Sequence, residues 1–267
     1  MKLLRTVAEL RHALREFDGR NGRIGLVPTM GAFHAGHLAL MRAARESSGV
    51  VVVSLFVNPS QFNAADDLGS YPRDEAADAA AADELGVDLL FAPSADDLYP
   101  NGFDTWVEPG ALATVLEGAS RPGHFRAVAT VCTKLFSIVR PDTAFFGQKD
   151  AQQVAVIRRV IADLNLPVEI VALPTVRDAD GLALSSRNVF LSLGERAVAV
   201  ALPRALAAGA EAQRSNGDPV AAAQEVLTSE RGLTIDYVAL ADFDGPTLVA
   251  AVRVGATRLI DNVRLAR

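Results

Sequence analysis

Cysteine is almost absent from this chain: Cys132 is the one thiol among 267 residues. A disulfide framework and a cysteine metal cage are thereby excluded. A reducing compartment fits such usage, so a cytoplasmic location is expected. Long apolar runs are missing too. Half of the residues are hydrophobic and the mean hydropathy is +0.20, yet the excess is alanine and valine scattered along the chain. No run reaches the ~18–20 residues that span a bilayer. Glu9, Arg11 and Arg15 come too early for the apolar core of a signal peptide. Positive charge is in deficit, with 26 Lys and Arg against 32 Asp and Glu, net −6. No basic run is visible, which argues against a nucleic-acid partner. A small anionic substrate stays open, since a few placed cations can serve it. Histidine is scarce, with four residues in all, and two of them share one turn.

What remains is a chain that can bury a sizeable core and carries a prior of about one to two domains. The first part alternates apolar strands with amphipathic or alanine-rich helices. Strands are expected at 23–27, 50–57, 88–91, 143–146 and 168–173, and helices at 36–47, 74–85, 122–139 and 151–164. The run Val50–Val57 is β-branched and unbroken, the mark of a strand covered on both faces. This rhythm predicts an α/β fold, a Rossmann-like doubly wound parallel sheet. After about Asp178 the texture changes. A long helix over 193–214, disturbed at Pro203, precedes a turn at Asn216–Pro219 with a helix start just after it. Two alternating, antiparallel-type strands follow at 235–243 and 256–263. A second, smaller α+β domain is expected over 178–267, after a first domain over 1–177.

The densest chemistry lies in Pro28-Thr-Met-Gly-Ala-Phe-His-Ala-Gly-His37, between a strand and a helix. Ligands of open α/β sheets bind beyond the carboxyl ends of strands, and helix N-termini there offer N–H groups to phosphate. Gly31 and Gly36 would let a ligand approach the backbone. His34 and His37, three residues apart, would fall on one side of a helix start. Two imidazoles there can donate to charge developing on phosphate oxygens. The plainer alternative is that both histidines cap the helix.

This segment resembles that of the pantothenate synthetase family, within the nucleotidyltransferases carrying a His-x-Gly-His motif. Further blocks follow in the family's order: Phe56-Val-Asn-Pro-Ser-Gln-Phe62, Tyr71-Pro-Arg73, Arg121-Pro-Gly-His-Phe125, Phe146-Gly-Gln-Lys-Asp-Ala-Gln-Gln153, Pro174–Asn188 and Thr257-Arg-Leu-Ile-Asp-Asn262. The resemblance covers nearly the whole chain. It implies ATP-dependent condensation of (R)-pantoate with β-alanine through a pantoyl adenylate, giving pantothenate, AMP and pyrophosphate. It implies a catalytic set of His37, His34 and Lys149. It implies an ATP site of Met30, Gly31, His34, Gly36, His37, Gly147, Gln148, Lys149, Asp150, Val176, Leu184, Ser185, Ser186 and Arg187. Gln61, Gln153 and, more weakly, Asn58 would hold pantoate and β-alanine. A homodimer and a second domain closing over the active site are also implied.

Adenylation needs cations for the leaving pyrophosphate but no protein nucleophile; Cys132, inside an apolar helix, reads as core. Taken alone, Gly147–Asp150 reads better as an ordinary strand-to-helix turn with Asp150 as N-cap, and Ser185–Arg187 reads equally as a capping turn. Mg²⁺ is expected with ATP. Asp78 is the nearest candidate ligand, with phosphate and water alone as the alternative. Phe33 and Ala35 stand where the family commonly has leucine and glutamate; neither replaces a proposed catalytic group. Two other function classes stay in view. A nucleotidyltransferase that keeps the adenylyl group in its product would explain the histidines but not Gln61, Gln153 and Lys149 together. A non-enzymatic nucleotide sensor would tolerate loss of His37 or Lys149.

Overall fold

The computed structural model describes residues 1–17, 22–62, 69 and 71–266. Two compact units emerge, Met1–Gly147 with Gln152–Leu173, and Gln148–Ala151 with Pro174–Arg267.

In the first unit six strands form one sheet in the order β1-β4-β3-β2-β5-β6. They are β1 (Lys2–Leu4), β2 (Ile24–Thr29), β3 (Val50–Leu55), β4 (Leu89–Phe91), β5 (Thr143–Gly147) and β6 (Glu169–Leu173). Every pairing is parallel. Helices cover both faces, as the unbroken apolar runs require. Alternate strand residues divide between two cores. Leu26, Val50, Val52, Leu89, Phe91, Ala144 and Phe146 face one side, with side chains of α1 (Val7–Arg15), α4 (His124–Val139) and α5 (Ala151–Asp163). Val27, Val51, Val53, Leu90 and Phe145 face the other, with α2 (Ala35–Ser47) and α3 (Glu75–Glu84). The strand order reverses between β2 and β5, and their carboxyl ends lead into 30–37 and 148–150. The edge strand β1 is absent from the sequence expectations, since three residues carry no readable period.

The second unit carries an antiparallel sheet, β7 (Leu233–Asp242), β8 (Pro246–Val254) and β9 (Thr257–Arg264). Leu202, Leu206, Leu227, Leu248, Ala250 and Val252 lie in its core. Two sequence expectations need correction here. The helix expected over 193–214 is two helices, α6 (Leu193–Ala199) and α7 (Ala201–Arg214). Pro203 sits in the first turn of α7, where a missing N–H leaves no hydrogen bond unmade. The central strand β8 adds a third strand to the two expected. Six consecutive residues in it, Thr247–Val252, are buried, so it shows no alternation. The helix after the Asn216–Pro219 turn is α8 (Pro219–Ser229), capped by Asp218.

Candidate active site

The turn after β2 is built on its backbone. Gly31 has φ +87° and Ala32 φ +53°, a left-handed pair that only glycine adopts without strain. Asp78, from α3 and 4% exposed, reaches under this turn. One carboxylate oxygen accepts from Ala32 N at 2.8 Å and the other from Phe33 N at 2.7 Å. A methyl group on Gly31 would lie 2.7 Å from Leu55 Cδ1 and 2.9 Å from Asp78 Oδ2. Gly31 therefore makes room for the carboxylate. Gly36 likewise faces the His34 ring, and a methyl group there would lie 2.9 Å from His34 Cε1. Each oxygen of Asp78, the candidate metal ligand, thus accepts from one backbone amide. Among the described residues no group of three or more His, Cys, Asp or Glu side chains is placed to hold a metal ion.

Both histidines do cap α2. Gly36 N donates to His34 Nδ1 at 3.1 Å, and His34 N donates to His37 Nδ1 at 3.3 Å. A backbone amide can only donate, so each Nδ1 is an acceptor and each proton resides on Nε2. The ring centroids are 4.2 Å apart, and both residues are half-buried. The helix start thus has fewer open amides than its position suggested, and in exchange presents two Nε2–H donors. Met30 is half-buried in the same turn.

Beyond β3 the chain turns through a short 3₁₀ segment, Pro59–Gln61, capped by Asn58. Asn58 is 1% exposed, and its Oδ1 accepts from Ser60 N at 3.3 Å and Ser60 Oγ at 2.8 Å. Its Nδ2 is buried and faces the Tyr99 phenol. Burial raises the pKa of the nearby Tyr99 phenol, an effect partly offset by Ser60 and Asn58. Gln61 is also buried. On α5, Gln153 is half-buried, while its neighbour Gln152 anchors a loop. Gln152 Oε1 accepts from Glu117 N at 3.0 Å, and its Nε2 donates to Leu112 O and Val115 O at 2.8 Å. Cys132 lies in the core of α4, where burial pushes its thiol up to about 12; it is no nucleophile at neutral pH.

In the second unit, Gln148–Asp150 is a 3₁₀ turn. Asn262 of β9 donates from Nδ2 to Gln148 O at 2.9 Å and Lys149 O at 2.8 Å. Lys149 Nζ lies 3.7 Å from Asp150 Oδ1. A side chain at Gly147 would meet nothing within 4 Å among the described residues. Leu184 N donates to Val176 O at 3.0 Å, and Ser185 Oγ accepts from Arg187 N at 3.2 Å. Leu184, Ser185, Ser186 and Arg187 are all half-buried. Asp261, next to Asn262, holds Arg177 through two contacts of 2.6 and 3.0 Å.

The fold that carries these blocks recurs in known proteins. A family model described as pantoate-beta-alanine ligase matches residues 2–264. The chain belongs to the pantoate–β-alanine ligase family. The pantothenate synthetase of Heliobacterium modesticaldum is 52% identical, with 98% of this chain and 99% of that protein covered. The crystal structure of pantothenate synthetase from Thermus thermophilus has a TM-score of 0.95 at 46% identity, covering 100% of both chains. A pantoate-beta-alanine ligase from Francisella tularensis, complexed with beta-gamma ATP and beta-alanine, has a TM-score of 0.86 at 34% identity, over 99% of this chain and 97% of that one. The protein is accordingly a ligase of the pantothenate route.

Sequence reasoning missed the supporting residues of this ligase. The sequence does not show that Asp78 braces the Gly31–Phe33 turn. Asn262 and Arg121–His124 stood in quoted motifs but carried no assigned role. Their presence in motif blocks was the only signal available, because what they hold lies far away in the chain.

Proposed function

We propose that the ligase works through an acyl adenylate, with the residues above in the following roles. His34 and His37 act on the phosphates of ATP. The observation that carries this is the capping arrangement, which fixes both Nε2 atoms as donors. An Nε2–H of His37 can stabilise charge on the α-phosphoryl oxygens as the pantoate carboxylate displaces pyrophosphate. Lys149 neutralises charge on the leaving pyrophosphate. Gly147, open to close approach, and Gln148 and Asp150 complete that block's contacts with ATP, as do Met30, Gly31, Gly36, Val176, Leu184, Ser185, Ser186 and Arg187. In the second step the amine of β-alanine attacks the acyl carbon and AMP leaves. Gln61, Gln153 and Asn58 hold the two acids; Asn58 and Gln61 are both buried at the Pro59–Gln61 turn beyond β3.

Asp78 already accepts one backbone N–H on each oxygen, and among the described residues no group of three or more His, Cys, Asp or Glu is placed to hold an ion. We read Mg²⁺ as entering with ATP, held by phosphate and water, and no step is assigned to a protein-bound ion. The family resemblance also supports a homodimer, which light scattering would report as twice the 28.2 kDa chain.

Product analysis tests the reaction. Protein given ATP, Mg²⁺ and pantoate should retain a pantoyl adenylate, and should form pantothenate and AMP once β-alanine is added. An adenylylated final product would instead favour the nucleotidyltransferase reading. His37→Ala should fold normally and lose about 10²–10⁴ in kcat/KM; a loss below about threefold would remove His37 from the mechanism.

A further inference from the structure

The Pro59–Gln61 turn is held from outside by two side chains that the proposed mechanism does not use. Arg121 Nη2 donates to Gln61 O at 3.2 Å. His124 Nδ1 lies 3.3 Å from the same oxygen. Arg121 Nη1 lies 3.2 Å from His124 Nε2. The contacts close a triangle of guanidinium, imidazole and carbonyl. A guanidinium only donates, so Nε2 is the acceptor and Nδ1 carries the proton toward Gln61 O. The tautomer is opposite to that of His34 and His37. His124 is 7% exposed and begins α4, directly after Gly123, whose φ is +81°. The other backbone group of Gln61 is taken as well, since its N–H donates to Asn58 O at 3.2 Å. Both peptide groups of this residue are thus fixed, which sets the direction of its buried side chain.

We infer that Arg121 and His124 are positioning residues for Gln61, clamping its carbonyl so that its carboxamide is aimed at the carboxylate substrates. This rests on the assignment of Gln61 to pantoate and β-alanine. Mispositioning by about 1 Å can lower a rate by up to ~10²-fold. The role should therefore appear in the kinetics of the acids and not in those of the nucleotide.

The test measures KM for pantoate, KM for ATP, kcat and Tm for Gln61→Ala, His124→Ala, His124→Asn and Arg121→Lys. His124→Ala and Arg121→Lys should raise KM for pantoate by about tenfold while KM for ATP stays unchanged. His124→Asn, whose Nδ2 can stand at the Nδ1 position, should restore most of that loss. If Gln61→Ala leaves the pantoate kinetics unchanged, the assignment beneath the inference falls. If Gln61→Ala is impaired but His124→Ala and Arg121→Lys match the parent, the clamp itself is overturned. A parallel rise in both KM values with a falling Tm would mark a merely structural contact and also overturn it. Should His124→Ala fail to fold, the contrast between Arg121→Lys and His124→Asn decides: equal pantoate constants refute the clamp.

Discussion

After β2 the chain is held by a carboxylate, and after β5 by a carboxamide. Asp78 takes two N–H groups of the Gly31–Phe33 turn, and Asn262 gives its amide hydrogens to two carbonyls of the Gln148–Asp150 turn. The first arrangement consumes donors that a phosphate could have used, and the His34–His37 caps consume two more. In the proposed mechanism, phosphate recognition at that turn then falls to the imidazole Nε2–H groups. The second arrangement consumes acceptors only, leaving the turn's cation, Lys149, as its contribution. Two loops that read alike as Gly-bearing phosphate segments thus offer different chemistry, one through neutral imidazole donors and one through a charge. The ionised partner also makes the stronger bonds, because charge-assisted hydrogen bonds are about twice as strong as neutral ones.

Substitutions at the two turns would break or sharpen this contrast. Asp78→Ala should be the most damaging. It leaves two amides of a left-handed turn unpaired, at about 2–4 kcal/mol by urea unfolding, and should lower kcat/KM along with stability. The companion Asp78→Asn separates capping from metal binding: Tm should fall while the Mg²⁺ dependence of the rate stays put. A raised Mg²⁺ requirement at unchanged Tm would return Asp78 to the metal. Gly31→Ala comes next, at about 1–3 kcal/mol, because it combines φ +87° with a contact against Asp78. Asn262→Ala should cost about 1–2 kcal/mol, two neutral hydrogen bonds, and raise KM for ATP; unchanged ATP kinetics would detach β9 from nucleotide binding. Gly147→Ala should be the mildest for the fold, within about 0.5 kcal/mol, since nothing among the described residues lies within 4 Å of the added methyl. A rise in KM for ATP without a change in Tm would then show a ligand passing close to that backbone.

The parallel sheet was legible because its strands are short, apolar on both faces and separated by helices of the right length. Val50–Leu55 and Glu169–Leu173 fall within a residue or two of the expected ranges. The strands that escaped notice gave no period: β1 spans only three residues, and the middle of β8 is buried throughout. At the candidate site, the turn after β2 and its histidine pair could be read from composition and spacing. The plain capping alternative and the chemical one turn out to be compatible, because capping through Nδ1 is what sets Nε2–H as the donor.

By itself the sequence determined the α/β architecture, the change of texture before the antiparallel sheet, and the motif blocks that mark the family. These depend on local periodicity and on residue types at short spacing, which a linear reading preserves. Tertiary structure alone decided what Asp78, Asn262, Arg121 and His124 do. Each holds a backbone group that lies distant in the chain, with Asp78 and Phe33 separated by 45 positions and Asn262 and Lys149 by 113. A hydrogen bond depends on where two groups arrive in space, and only the folded chain brings these together.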